Sequence, residues 1–219
     1  MIYLYGITGR MTDAIDGIGL DVTPLQTEEV GALTAVYSTH KQLPVRADAD
    51  LCWAHEAAVE AVMRRQAVLP ARFGTTFPDL DELRSALLRD AEPLHKSLTE
   101  IDGCVELAVR INPLGCADGE LAANGQEYLQ DRLSEQRRRE ALAKSTLACL
   151  QEFAVASCLA ASQSGQQSVS ISYLVKTGGV ERFSRAVGRL QKRWPEFGLS
   201  CTGPWAPYSF VANSTGAAA

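Results

Sequence analysis

Along the first half of the chain the hydrophobic pattern switches between two periods. Residues 2 to 8, IYLYGIT, are aromatic and β-branched and end near Gly9, which predicts a strand. GALTAVYSTH at 31 to 40 predicts a second, and LPV at 43 to 45 breaks it. From Asp48, a suitable N-cap, to Gln66 the period becomes helical, with Leu51, His55, Ala58 and Val62 on one face. AVLPARFGTTFP at 67 to 78 cannot be helix: Pro70 and Gly74 bracket a short extended piece and Pro78 closes it. DLDELRSALLRDAEPLHKSL at 79 to 98 predicts a second helix, starting near Asp79 or Asp81 and kinked or split by Pro93. GCVELAVRI at 103 to 111 alternates, with Val105, Leu107, Val109 and Ile111 on one face and Glu106 and Arg110 on the other, as in a half-buried strand.

NPLGCADG at 112 to 119 is the best boundary in the chain, with two glycines and a proline. A long helix is predicted from about Glu120 to Ser162, charged in its first half and apolar in its second. A turn at 163 to 167, a strand at 168 to 177, a helix at 180 to 194 ended by Pro195 and a strand at 198 to 203 follow. The fold class expected is α+β, with two small domains, at least one of them ferredoxin-like, and a long helix opening the second. Residues 1–112 would form the first domain, 113–212 the second, and 213–219 a flexible tail.

Composition adds little to this picture, and charge adds more. The 219 residues are 46% hydrophobic and 21% charged, the ordinary mix of a globular chain. No apolar run approaches the roughly 20 residues that span a bilayer. The opening segment has no basic region before its short apolar run, so a cytosolic protein is expected. Residues 1 to 112 carry 10 Lys/Arg against 17 Asp/Glu, a net of −7. Residues 113 to 219 carry 11 against 9, a net of +2, so the two halves present different surfaces. The net charge of −5 argues against a dedicated nucleic-acid binder.

Candidate chemistry is sparse. The six cysteines, Cys52, Cys104, Cys116, Cys149, Cys158 and Cys201, are scattered without metal-ligand or redox-pair spacing, so no metal and no cofactor is expected. No nucleophile–base motif and no phosphate-binding glycine loop is present, which disfavours an enzyme. Cys52 and His55 stand one turn apart, but His55 lies on the apolar face and reads as a satisfied, semi-buried histidine. Glu28 and Glu29 are adjacent and cannot converge from a strand. A pocket near His55, Arg72 and Glu106, serving a small ligand or a reaction, is the alternative reading; it requires convergent polar groups in a cavity.

Two surfaces are more informative. On the helix at 180 to 194, Val180, Phe183, Val187, Leu190 and Trp194 form an apolar stripe, while Arg182, Arg185, Arg189, Lys192 and Arg193 gather elsewhere. That basic face is either plain solvated surface or a docking strip for an acidic partner. The triplet Arg137-Arg138-Arg139 spans most of a turn and cannot make a single-face patch. In GPWAPYSFV at 203 to 211, Pro204 and Pro207 remove two backbone donors, so this is an edge or no strand at all. Trp205, Tyr208 and Phe210 there either cap the second domain's core or form an exposed recognition strip.

Several of these stretches together resemble the GvpL/GvpF family of gas vesicle proteins. They are YLYGI at the start, VLPARFGTTF at 68 to 77, GCVELAVRI at 103 to 111, GQEYLQDRLSEQRRRE at 125 to 140, SYLVKTGGVERFSRAVGRL at 172 to 190 and TGPWAPYSFV at 202 to 211. The motif positions are Leu69, Pro70, Arg72, Phe73, Gly74 and Thr75, then Gly203, Pro204, Trp205, Pro207, Tyr208 and Phe210. Two positions depart from the family pattern: Ala206, where a proline often stands, and Arg110, where lysine is common. The resemblance implies a two-domain α+β fold, no enzymatic activity and no cofactor. It further implies a cytoplasmic, gas-vesicle-associated accessory protein, partnered by the hydrophobic major shell subunit and other accessory proteins, with no membrane or nucleic-acid partner. Arg182, Arg185, Arg189, Trp205 and Tyr208 are the candidate partner-binding residues, and the motif positions are expected to be structural. The terminal aromatics are expected to face inward, since three exposed rings would form an aggregation-prone patch.

Overall fold

A computed structural model describes residues 1–11, 15–41, 48–113, 134, 137, 141, 145–146, 148–159, 169–195 and 197–211. Contacts divide the chain into two units, one of residues 1–105 with the segment from Trp205 onward, the other of 106–204. The division thus falls inside a strand, ahead of the proline- and glycine-rich 112–119 stretch, and returns the terminal motif to the first unit.

The first unit is built on β1 (Ile2–Gly9), nearly all of it buried. β1 lies between β3 (Leu33–Thr39) on one side and β4 (Val68–Pro70) and β5 (Thr76–Phe77) on the other, all antiparallel to it. β2 (Gln26–Val30) completes the sheet order β2-β3-β1-β4. A two-residue turn joins β2 to β3, with Gly31 at φ +65°, a conformation that favours glycine. β2 is hidden in the sequence because its polar QTEEV run lacks the apolar alternation of a half-buried strand.

Helix α1 (Ala49–Met63) starts where expected, its N-cap Asp48 accepting a hydrogen bond from the Leu51 amide at 2.8 Å. His55, Ala58, Val59 and Val62 are its buried face. α2 (Leu80–Arg89) is capped by Asp79, which accepts from the Asp81 and Glu82 amides. The split expected at Pro93 falls instead at Asp90, and α3 (Ala91–Ile101) carries Pro93 in its first turn, where its missing N–H costs nothing. The core joins Tyr3, Tyr5, Ile15, Leu20, Val36, Val59, Val62 and Val68 with Ala206.

In the second unit β6 (Cys104–Pro113), β7 (Ala156–Leu159), β8 (Val169–Lys176) and β9 (Phe197–Trp205) form a sheet in the order β7-β8-β6-β9. Helix α4 (Val180–Arg193) connects β8 to β9. The described residues between Ser134 and Gln151 are helical. The order β-α-β-β-α-β with the first and third strands central is the ferredoxin-like arrangement. The helix expected to run to Ser162 is corrected here: helical residues end at Gln151, and Ala156–Leu159 pair with β8. No Gly or Pro marks that stop, and a short apolar run has no intrinsic preference strong enough to resist strand pairing.

The core of this unit gathers Leu107, Val109, Ile111, Ile171, Tyr173, Val175, Phe183, Val187 and Leu190. The Tyr173 and Phe183 rings pack at a tilt of 58° with centroids 5.0 Å apart. Its hydroxyl is buried without a hydrogen-bond partner among the described residues. A buried unpaired hydroxyl costs about 1–3 kcal/mol. Tyr173→Phe is therefore expected to hold or raise stability, by up to about 1 kcal/mol. A urea-unfolding midpoint clearly below that of the parent protein would contradict this.

Candidate functional site

The two sequence motifs that look most specific are physically joined to β1. Leu69 and Pro70 pair with Ile7 and Gly6, and the Ala71 amide donates to the Tyr5 carbonyl at 2.8 Å. A side chain at position 6 would meet the Leu69 carbonyl at 2.9 Å and the Val68 side chain, so glycine allows the strands this close. Beyond Ala71 the chain turns. The Thr75 amide and hydroxyl both donate to the Arg72 carbonyl, and Gly74 takes φ +87°. The Leu4 amide then donates to the Thr75 carbonyl. Leu69, Pro70, Phe73, Gly74 and Thr75 thus build a turn clasped to the first strand, with Arg72 on its exposed side.

His55 locks this turn from the other side. The Ala71 carbonyl can only accept, so His55 Nε2, 3.0 Å away, carries the proton. Nδ1 then accepts from the Tyr3 hydroxyl at 3.0 Å, and Tyr3 in turn accepts the Gly74 amide. Rings of Tyr3, Tyr5, Phe73 and Tyr208 surround the imidazole. Burial lowers the His55 pKa to about 4 and pushes the Tyr3 hydroxyl up to about 12. His55 is therefore neutral with both nitrogens committed, while Cys52, one turn away, is exposed.

A second polar chain lies beside it. The Tyr5 hydroxyl accepts the Leu20 amide and meets Ser38 Oγ at 2.8 Å, and Ser38 meets His40 Nε2 at 2.7 Å. Asp21 lies 3.7 Å from His40 Nδ1. The order Ser–His–Asp has the look of an acid–base relay. Yet Ser38 is 0% exposed and its hydroxyl is held by Tyr5, so no substrate atom can reach it. This network escaped sequence reasoning because Tyr5, Asp21 and the Ser38–His40 pair are far apart in the chain, and only Tyr5 falls in a stretch that carries the resemblance.

The residues of the pocket reading differ in burial. His55 is sealed, Arg72 is exposed, and Glu106 is buried in the second unit. A shallow cleft of about 280 Å³ lies elsewhere, between Gly9, Gln66, Ala67, His95, Leu98, Thr99 and Asp102. Among the described residues no group of three His, Cys, Asp or Glu side chains could hold a metal ion. Glu28 and Glu29 are spent on separate ion pairs, with Arg84 at 2.7 Å and Arg10 at 3.5 Å.

The terminal motif turns inward at its centre. Ala206 is 1% exposed in the first unit's core, Pro207 is buried, and the Tyr208 hydroxyl donates to Glu56 on α1 at 2.9 Å. Capping of the second domain's core is thereby corrected: the segment packs in the first unit, because the Tyr3–Tyr5–His55 cluster offers it an aromatic seat. Phe210 is half-buried, Gly203 and Pro204 are exposed at the end of the edge strand β9, and Trp205 remains 36% exposed. Arg182, Arg185 and Arg189 are all exposed on α4, opposite Phe183, Val187 and Leu190. Arg182 lies over the Phe153 ring at 5.0 Å, and Arg185 is 3.7 Å from Glu181. Arg137 is exposed, while Arg138 and Arg139 lie outside the described residues.

Comparison with known proteins places these features. The family model described as gas vesicle synthesis protein GvpL/GvpF matches residues 1–212. The chain is similar to gas vesicle protein F2 of Halobacterium salinarum, 27% identical over 99% of this chain and 94% of that one. It is also similar to gas vesicle protein F of a Streptomyces species, 28% identical over 95% of this chain and 98% of that one. The crystal structure of GvpF from an Anabaena species superposes with a TM-score of 0.82, covering 96% of this chain and 95% of that one at 21% identity. That likeness shows a shared fold.

Proposed function

We propose, from the premise that this chain belongs to the GvpL/GvpF family of gas vesicle synthesis proteins, that it is a non-enzymatic minor structural or assembly protein of gas vesicles. It would act in the cytoplasm, binding the hydrophobic major shell subunit and other accessory proteins while the vesicle forms. The single observation that carries this reading is the family match over residues 1–212. The sealed imidazole of His55, with both nitrogens committed, supports the non-enzymatic part. No described helix is long and apolar enough to cross a membrane.

A shell subunit apolar enough to line a gas space aggregates in water unless something holds it. A folded carrier with an acidic half and a basic helix face can do so without sharing the subunit's insolubility. The exposed arginines of α4 are the proposed contact for acidic groups on the shell subunit or another accessory protein. Co-expression with the major shell subunit, affinity capture and sedimentation test the reading directly. A soluble complex supports it; no complex, with the shell subunit shown to be present, counts against it.

The arginine contact has its own test. Arg185→Glu with Arg189→Glu is expected to cut capture several-fold at low salt and to leave the melting temperature within about 2 °C, as exposed substitutions do. Undiminished capture would remove the stripe from the account.

A further inference from the structure

A segment held by one unit but delivered by the other can be delivered to a second copy of the chain instead. Residues from Trp205 onward pack with the first unit, whereas the chain reaches them from β9 of the second. Gly203 and Pro204, at the step between them, are exposed, so re-aiming the chain there unpacks no buried side chain.

The segment carries its own shape. The Tyr208 amide donates to the Ala206 carbonyl at 2.8 Å and the Phe210 amide to the Pro207 carbonyl at 3.1 Å. The rings of Pro204 and Pro207 fix two further backbone angles. A segment restricted before it docks loses less freedom on docking. Its seat is equally defined. Ala206, 1% exposed, belongs to the cluster of Tyr3, Tyr5 and Val59. The Tyr208 ring centroid lies 6.5 Å from that of His55, and its hydroxyl donates to Glu56 at 2.9 Å. A small buried anchor, an aromatic contact and a directional hydrogen bond together select this segment over an arbitrary apolar one.

We propose that this seat on α1 and β1 is a groove specific for the chain's own Trp205–Phe210 segment, and that two copies of the protein exchange the segment to form a dimer. The exchange needs no new contact: each groove keeps its anchor, ring and carboxylate, and the second copy supplies the segment. The occupant is therefore the one already seated there. In a single copy the tether holds the segment at high effective concentration, so closure within the chain wins in dilute solution. Exchange follows where the segment is made to open at high protein concentration.

The test uses the full chain alone, so its outcome does not bear on the shell-subunit reading. Wild-type protein held concentrated a few degrees below its melting temperature, then cooled, is expected to yield a dimer on sizing. Tyr208→Ala, which removes the ring contact and the bond to Glu56, is expected to yield at least tenfold less. In the converse arm a labelled peptide with the sequence of residues 202–211 is expected to bind Tyr208→Ala at least tenfold more tightly than wild type, whose groove its own segment fills. Tyr208→Phe keeps the ring and loses the hydroxyl; it is expected to fall between the two, and it carries both comparisons if Tyr208→Ala does not fold. A wild type that stays monomeric, a dimer that the Tyr208 variants form as readily, or a peptide bound equally by variant and wild type overturns the proposal.

Discussion

Acidification from pH 7 to pH 4 is expected to remove about 3 kcal/mol of stability through His55 alone. In the folded chain burial holds the imidazole pKa down to about 4, against an ordinary value of 6.5. Below pH 6.5 the unfolded chain takes up the proton while the folded chain does not. Unfolding therefore binds protons throughout that window, and stability falls as pH falls, levelling off once the native imidazole also titrates near 4. Above pH 6.5 both states are neutral and the effect vanishes.

Protonation strikes a particular structure. Nδ1 would gain a proton facing the Tyr3 hydroxyl, which must then stop donating and reorient while still accepting the Gly74 amide. The clasp between β1 and the 69–75 turn is thus the first part expected to loosen. His40, also buried and depressed in pKa, adds to the loss in the same direction. Urea midpoints measured from pH 7.5 to 4 for the wild type and for His55→Gln provide the check. The variant starts less stable but should show a flatter profile; parallel profiles would mean that His55 is not the acid-sensitive group.

Much of the fold was readable because the strongest signals are local. Asp48 and Asp79 announce helix starts, and the alternation from Val105 to Ile111 announces β6. Where pairing or packing decides, sequence reading fails. β2 is a strand because β3 recruits it, not because QTEEV favours one. β7 follows a helix without any stop residue because β8 offers a ladder. The candidate residues show the same division. Arg182, Arg185 and Arg189 stand out by their spacing on one helix. The Tyr3–His55–Ala71 and Tyr5–Ser38–His40 chains need contacts across 16 to 52 positions to be seen at all, save the short step from Ser38 to His40. The seat of the terminal motif was equally hidden, since Glu56 and Tyr208 are 152 positions apart.

Phe183→Ala is expected to cost 3–5 kcal/mol, the range for removing a buried aromatic ring whose surroundings relax only in part. Phe183 is 0% exposed and touches the second unit's core through Tyr173, at 5.0 Å between ring centroids. Its cluster takes residues from α4 and from the central strands β6 and β8, so no single flexible neighbour can refill the space. The loss should appear first as faster hydrogen exchange in β8 and α4. A cost below about 1 kcal/mol would mean that the core is loosely filled there. The substitution also separates two roles of one helix. Its inner face, through Phe183, holds α4 in place; its outer face, through Arg185 and Arg189, is proposed to meet a partner. Reversing the arginines should lower capture without touching stability. Removing Phe183 should lower both, with capture failing as the chain unfolds. If Phe183→Ala lost stability yet kept full capture at a temperature where the second unit is unfolded, neither face of α4 could be the contact. The binding surface would then have to be sought on the first unit, where Trp53 stands 65% exposed on α1.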